Sequence, residues 1–331
     1  MFINTIIQSK HMDIDFENIR KQLERINVIM NLESLKPHSQ QGGVNEVYTA
    51  DSNVGKLLIH VGKYSDPEEQ VQKGERMFAL SEFLKTKPQV PVAEVLLNGT
   101  DTKNNHFCIQ KFVEGKRLDE VSNKLQYLKH LAEILAHLHQ IDVEGAGHLQ
   151  LIQGKLKGPH DDWLTFLKKE AFKCLDNIYA AKKDQKGSIT EKKYLELRGK
   201  LERFFAKYQD FFSGVKGKLV HGDILFGNIL VNNERINALV DLEWSLSGDP
   251  AWEFAGFIDE HGTLAQDYET CLQEYFLCLK NMGVDVDEAN FRLRIKLYWV
   301  IKLLFIGNTF KKYSHFDWTI QRFDEEINKL L

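Results

Sequence analysis

Thiols are scarce in this 331-residue chain. The four cysteines, Cys108, Cys174, Cys271 and Cys278, are scattered through apolar surroundings with no CxxC spacing and no partnering histidine cluster. A disulfide scaffold and a thiolate metal site are thereby excluded, and reduced core cysteines of a cytoplasmic protein are expected. Excess positive charge is also lacking: the formal net charge is −4, against the basic face that nucleic acid would require. No apolar run reaches membrane-spanning length, and the longest, "LYWVIKLLFIG", is interrupted by Lys302. "MFINTIIQSK" has neither a basic start nor a long apolar stretch, so neither a signal peptide nor a membrane anchor is expected there. Internal repeats and low-complexity tracts are absent.

What is present is an ordinary globular composition, 43% hydrophobic and 27% charged, with enough length for a sizeable core in two domains or lobes. "DFENIRKQLERINVIMNLESL" carries Phe16, Ile19, Leu23 and Ile26 at helical spacing and predicts an opening amphipathic helix. From about His38 the pattern is strand-like: a strand, a glycine turn, "NEVYTA", a "DSNVG" turn and "KLLIHV". The helix "EEQVQKGERMFALSEFLK" follows, then the strands "AEVLLN" and "HFCIQKFV". Beyond "VEGKRL" long helical patterns dominate to the end. The expectation is a β-rich lobe over residues 1–111, a connector over 112–116 and a mainly α-helical lobe over 117–331, with a ligand between the lobes.

One stretch breaks the helical run. "LVHGDILFGNILV", residues 219–231, places His221, Gly222, Asp223 and Asn228 in a loop between two short strands. "NNER" turns the second strand back, and "INALVDLEW" returns antiparallel to it, bringing Asp241 near Asn228. A carboxylate in a loop, an amide at a strand start and a second carboxylate on the returning strand suit phosphoryl transfer. That reaction needs a base to orient the attacking hydroxyl and hard oxygen ligands for magnesium. Asp223 is the candidate base; Asn228 and Asp241 are the candidate ligands. Glu243, two residues after Asp241, is expected on the same strand face as an additional metal ligand or supporting acceptor.

An Asp followed after five positions by Asn, then Asp241 where the metal-binding DFG aspartate would fall, resembles the protein-kinase-like catalytic loop. "HGD" for HRD, "DLEW" for DFG and the following "GDPAWEFA" are together similar to the aminoglycoside phosphotransferase and choline kinase group of small-molecule kinases. "GGVNEVY", "LAEILAHLHQID" and "DDWLTF" extend the likeness over most of the chain. The resemblance implies an α+β, two-lobed protein-kinase-like fold and a magnesium-dependent kinase using ATP or GTP. Independently of it, only a few residues separate Asp241 from Gly248, leaving no room for an activation loop. No APE triplet follows, and residue 222 is not arginine. A small-molecule substrate is therefore expected rather than a protein.

The resemblance further implies that Gly42 and Gly43 approach the phosphates, with Asn45 at the start of the covering strand; a plain hairpin turn is the alternative. The cation that the family places in the third strand falls on His60 here, or on Lys63 if the register shifts by three. Glu75 falls where the partner carboxylate of that cation would be, although an exposed helix glutamate has the same signature. Gln110 to Val113 would face the nucleotide base. His139 is expected to pack or cap a helix, Asp249 to hydrogen-bond the catalytic loop's backbone, and Trp163, Trp244 and Trp252 to be core.

Residues 241–290 contain twelve acidic residues and one basic, Lys280, whereas 151–220 contain sixteen basic and nine acidic. In the family the acidic segment runs toward the substrate pocket, which implies a cationic acceptor such as an aminoglycoside or an amino alcohol, with Asp259 and Glu260 as contacts. A metabolic kinase for choline, a sugar or an amino-acid alcohol, and a non-catalytic nucleotide-binding regulator, are the other readings. Neither nucleic acid nor membrane is an expected partner, and the sequence leaves monomer or homodimer open.

Overall fold

The structure, a computed structural model, describes residues 13–39, 45–62, 67–182, 189–258, 265–310 and 317–331. The chain divides into two compact units, residues 1–88 with 92–114, and residues 89–91 with 115–331.

In the first unit, helix α1 (Phe16–Glu24) is capped by Asp15, whose carboxylate accepts the Asn18 backbone N–H at 2.9 Å, and buries Ile19 and Leu23. The helix ends far earlier than its apolar spacing suggested. Asn27 takes a left-handed conformation at φ 61°, and the Val28 N–H returns to the Leu23 carbonyl at 3.1 Å, which reverses the chain. "VIMNLESL" is therefore not helical: β1 (Met30–Pro37) begins there, and Ile26, counted on the buried face, stays 43% exposed. The first strand precedes His38 rather than following it.

Strands β2 (Asn45–Ser52), β3 (Gly55–Gly62), β4 (Val95–Thr100) and β5 (His106–Lys111), with helix α2 (Pro67–Leu84) inserted after β3, complete the unit. The sheet order is β1-β2-β3-β5-β4, antiparallel at every pair. Alternation gives it two unlike faces. One packs Leu57, Ile59, Val61, Phe107 and Ile109 with Ile19 and Leu23 of α1 into a dry core. The other aligns Val47, His60, Cys108 and Asn98 in register across four strands. Helix α2 lies against this more polar face so closely that a Cβ on Gly74 would stand 2.0 Å from Asn98 Oδ1 and 2.3 Å from the His106 ring.

The second unit runs through β6 (Lys116–Arg117), α3 (Leu125–Leu138), β7 (Gly147–His148), the hairpin β8 (Gln150–Ile152) and β9 (Lys155–Lys157), then α4 (Trp163–Lys182) and α5 (Glu191–Phe212). After these come β10 (Lys218–Val220), β11 (Ile229–Asn232), β12 (Arg235–Leu239) and β13 (Leu246–Gly248). Helices α6 (Ala251–Phe254), α7 (Gln266–Asn281), α8 (Glu288–Phe310) and α9 (Asp317–Leu330) close the chain. Two small sheets, β10-β13-β7 and β12-β11-β6, support the stretch singled out by sequence. Among the described residues no helix is long and apolar enough to cross a membrane. None of the four cysteines forms a disulfide, and three of them are buried.

Candidate active site

The strand β10 delivers the chain into the loop at His221, and the loop's course follows from its hydrogen bonds. His221 is 1% exposed; its Nδ1 accepts the Asp223 backbone N–H at 3.3 Å and its Nε2 donates to the Val240 carbonyl at 3.0 Å. That ring therefore ties the loop to the strand end just before Asp241. Gly222 sits at φ +87°, and a Cβ there would stand 2.3 Å from the Trp244 carbonyl oxygen. No side chain fits, so the arginine of the HRD pattern is excluded by backbone geometry as well as by sequence.

A short 3-10 turn, Phe226–Asn228, then leads into β11. The Asn228 side-chain amide donates to the backbone carbonyl of Asp223 and to its carboxylate Oδ2, both at 2.9 Å. The antiparallel pairing Ile229↔Leu239 and the Val240 N–H to Asn228 carbonyl bond, 2.9 Å, bring the chain entering Asp241 alongside Asn228. The structure thus brings Asp223, Asn228 and the Asp241 backbone together.

Asp241 adopts φ 66°, ψ 54°, a left-handed conformation, and caps a 3-10 turn over Leu242–Trp244. This overturns the strand argument for Glu243. The strand ends at Leu239, so the two acids share no strand face: Asp241 is exposed, whereas Glu243 is 3% exposed. With its NH2 engaged by Asp223, Asn228 keeps Oδ1 as an acceptor, and Asp241 offers an accessible carboxylate. Two hard oxygen donors fit magnesium, which leaves its other positions to phosphate oxygens and water. Among the described residues no three His, Cys, Asp or Glu side chains are grouped to hold a metal.

The loop's anchor is a residue that motif reasoning did not single out. Glu253, 1% exposed at α6, accepts the backbone N–H groups of His221 at 2.8 Å and Gly222 at 3.0 Å, one to each carboxylate oxygen. Burial raises its pKa, but contact with His139 and the attraction of His221, with a smaller one from Lys302, outweigh this and hold the carboxyl below the usual range. His139 Nε2 lies 3.6 Å from Glu253 Oε2, and its Nδ1 pairs with the Tyr275 hydroxyl at 2.9 Å. His139 is thus a buried packing residue with an added task. Asp249 does not serve the loop as expected: it accepts from Arg294 Nε and the Tyr298 hydroxyl, each at 2.6 Å, and so fastens α8. Trp163 and Trp252 are core, and Trp163 donates to the Tyr298 hydroxyl at 2.9 Å. The only sequence cue to Glu253 was its place in "GDPAWEFA".

Phe226, in the turn after Asp223, stacks on Tyr268 at 4.2 Å, and Tyr268 stacks on Phe257 at 3.6 Å. Asp259 and Glu260 lie outside the described residues, as do Gly42, Gly43 and Lys63.

In the first unit, burial and the proximity of His38 push the His60 pKa down to about 4, and its Nε2 is enclosed without a hydrogen-bond partner. Burial thus favours the neutral ring, so a phosphate contact by His60 would be made by an uncharged imidazole rather than by a fixed cation. Glu75 is exposed on α2, whereas Lys73 and Arg76 of the same helix are buried. The helix therefore buries two basic residues and leaves the expected glutamate in solvent. Asn45 opens β2, Gln110 is buried in β5 and Val113 is half-buried near the unit's end.

A model of the phosphotransferase enzyme family (APH) matches residues 45–278. The sequence matches no curated protein. By structure the chain is similar to a thermostable mutant of aminoglycoside phosphotransferase APH(4)-Ia in ternary complex with AMP-PNP and hygromycin B, with TM-score 0.65, 19% identity, and 94% of this chain and 98% of that chain covered. It is also similar to a Haemophilus somnus protein described as a fructosamine-3-kinase, with TM-score 0.66, 14% identity and coverage of 96% and 97%. A third likeness is to macrolide 2'-phosphotransferase MphH from Brachybacterium faecium, with TM-score 0.59, 16% identity and coverage of 94% and 97%. These likenesses show the protein-kinase-like α+β fold, with a β-sheet N-terminal region and a helical C-terminal region.

Proposed function

The chain belongs to the phosphotransferase enzyme family, and on that premise we propose that it transfers the γ-phosphoryl group of a nucleoside triphosphate to a hydroxyl of a cationic small molecule, the class that includes aminoglycosides. The observation that carries this reading is the Asp223–Asn228 pair, joined through the amide at 2.9 Å while Glu253 fixes the backbone immediately before it.

Asp223 orients the acceptor hydroxyl and takes its proton. The hydroxyl oxygen forms the new bond to phosphorus, and the bond from the γ-phosphorus to the bridging oxygen breaks, so that nucleoside diphosphate leaves. Asn228 and Asp241 would hold magnesium, which when bound draws phosphate oxygens together and neutralises their charge. Holding Asp223 in a prearranged carboxylate geometry is this chain's contribution, because positioning and electrostatics supply most of the rate in such reactions. The ATP analogue bound by the APH(4)-Ia neighbour supports ATP as donor. Gly42, Gly43, Asn45, Gln110 and Val113 are the proposed nucleotide contacts, and Asp259 and Glu260 the proposed acceptor contacts.

A second reading, a metabolic kinase for a neutral alcohol or sugar, is favoured by one observation. Four of the twelve acidic residues in 241–290 are already engaged: Asp249 by Arg294, Glu253 by the loop, Glu269 by Arg292 and Glu274 by Lys129. Their charge is largely compensated and draws a cation less than the count suggests.

Nucleotide consumption with magnesium over a panel of aminoglycosides, macrolides, choline and simple sugars tests both. Turnover with one panel member, abolished in Asp223→Asn, supports the kinase and names its acceptor class. Equal turnover in Asp223→Asn would overturn the role of that residue.

A further inference from the structure

Between Asp223 and Asn228 the chain runs through Ile224, Leu225, Phe226 and Gly227. Ile224 is buried, Leu225 is 44% exposed and Gly227 has no side chain, so Phe226 is the side chain that ties the outer part of this turn to the rest of the unit. It does so by stacking. Its ring lies 4.2 Å from that of Tyr268 with planes 22° apart, and Tyr268 lies 3.6 Å from Phe257 with planes 13° apart. Two rings so close and so nearly parallel to a third cannot share one of its faces, so Tyr268 is the middle of a three-ring stack. Phe257 is 4% exposed and meets Phe254 edge-on at 6.1 Å. Phe254 follows Glu253 in α6, and the Glu253 carboxylate holds the backbone N–H groups of His221 and Gly222. One short segment, residues 253–257, therefore grips the catalytic loop twice: before Asp223 through a carboxylate, and after it through Tyr268.

Tyr268, from the first turn of α7, is the spacer between Phe257 and the loop. Within the turn the Leu225 N–H donates to the Asp223 carbonyl at 2.9 Å and the Asn228 N–H to the Leu225 carbonyl at 2.8 Å. A shift of Phe226 is thereby passed to both functional residues, whose side chains meet at 2.9 Å. Misplacement of reacting groups by about 1 Å costs on the order of a hundredfold in rate, so slack in this turn is visible in kcat. Resting on the phosphotransferase reading above, we propose that Tyr268 is a positioning residue for the transfer: stacked between Phe257 and Phe226, it fixes the turn that sets Asn228 against Asp223. It touches neither acceptor nor nucleotide and exchanges no proton; it acts through Phe226. The ring rather than the hydroxyl carries the role, because the stack needs a flat aromatic face.

The test compares wild type, Tyr268→Phe, Tyr268→Leu, Phe226→Leu and the Tyr268→Leu, Phe226→Leu double variant. Each is followed by peptide-resolved hydrogen exchange, thermal melting and steady-state kinetics with magnesium nucleotide, using the panel acceptor that turns over, or water if none does. Tyr268→Leu should speed exchange over residues 224–228 several-fold while the second unit elsewhere, beyond the first turn of α7, exchanges as in wild type. It should lower kcat by about ten- to a hundredfold and leave the KM for nucleotide within about twofold. Tyr268→Phe should recover most of the kcat and the slow exchange, since it keeps the ring. The double variant should fall within about twofold of the more impaired single variant, because both substitutions break the same contact. A merely structural role predicts faster exchange throughout the unit, kcat tracking the folded fraction and losses that multiply in the double variant. That result, or wild-type kcat and exchange in Tyr268→Leu, overturns the proposal. Should Tyr268→Leu fail to fold, Phe226→Leu, at a half-buried ring, is read in its place: faster exchange confined to the turn with lower kcat supports the proposal, and wild-type values overturn it. No turnover by wild type with any acceptor or with water overturns the phosphotransferase reading and this inference together; turnover that ignores both substitutions overturns this inference alone.

Discussion

Asp241 shows how much the backbone of one residue decides. A left-handed conformation is costly for most L-residues but tolerated by Asp and Asn, whose short polar side chains bond locally. Asp241→Asn therefore keeps the turn while removing the charge. Expected is loss of magnesium-dependent turnover by at least about a hundredfold, with Tm within about 2 °C of wild type; an unchanged magnesium titration of the rate would count against Asp241 as a ligand. At this scale the sequence was informative for Asp223 and Asn228, because a five-residue offset inside a loop leaves little freedom in where two side chains meet. It was misleading for Glu243, since the two-residue alternation of a strand was applied beyond Leu239, where the strand ends.

At the scale of elements, α8 is fastened to the segment after β13 by one network: Asp249 accepts from Arg294 and Tyr298, and Tyr298 accepts from Trp163 of α4. Asp249 is 2% exposed, so removing its cation leaves a buried, uncompensated carboxylate. Arg294→Met should destabilise the protein by about 3 kcal/mol, measured by urea unfolding; a change below about 0.5 kcal/mol would show that the Tyr298 hydroxyl and the Ala251 backbone N–H together satisfy Asp249. The helices themselves were legible, because apolar residues at spacings of three and four survive as a pattern whatever they pack against. The end of α1 was not, because the apolar spacing runs on past Asn27, where the chain reverses.

For the molecule as a whole, pH is the informative variable. His60 and His106 both have pKa values pushed down to about 4 by burial, for His60 with the added repulsion of His38. Each is neutral when folded at pH 5 but protonated when unfolded, where the ordinary value is near 6.5. The unfolded state therefore binds more protons between about pH 4 and 6.5, and stability must fall as pH falls through that window. The loss should amount to on the order of 2 kcal/mol per histidine. His106→Asn should flatten the dependence of Tm on pH between 6.5 and 4.5; an unaltered slope would place the acid sensitivity elsewhere.

Charge balance, the order of strands and helices, and the constellation of Asp223, Asn228 and Asp241 were determined by the sequence alone, because each depends on local period or short loop geometry. Tertiary structure decided what depends on neighbours distant in the chain. Burial lowers the pKa of His60, and α2 buries Lys73 and Arg76 while leaving Glu75 exposed. The choice of Glu253 over Asp249 as the loop's anchor rests on contacts spanning about thirty residues. No local pattern encodes them, since burial and proximity exist only once the elements have packed.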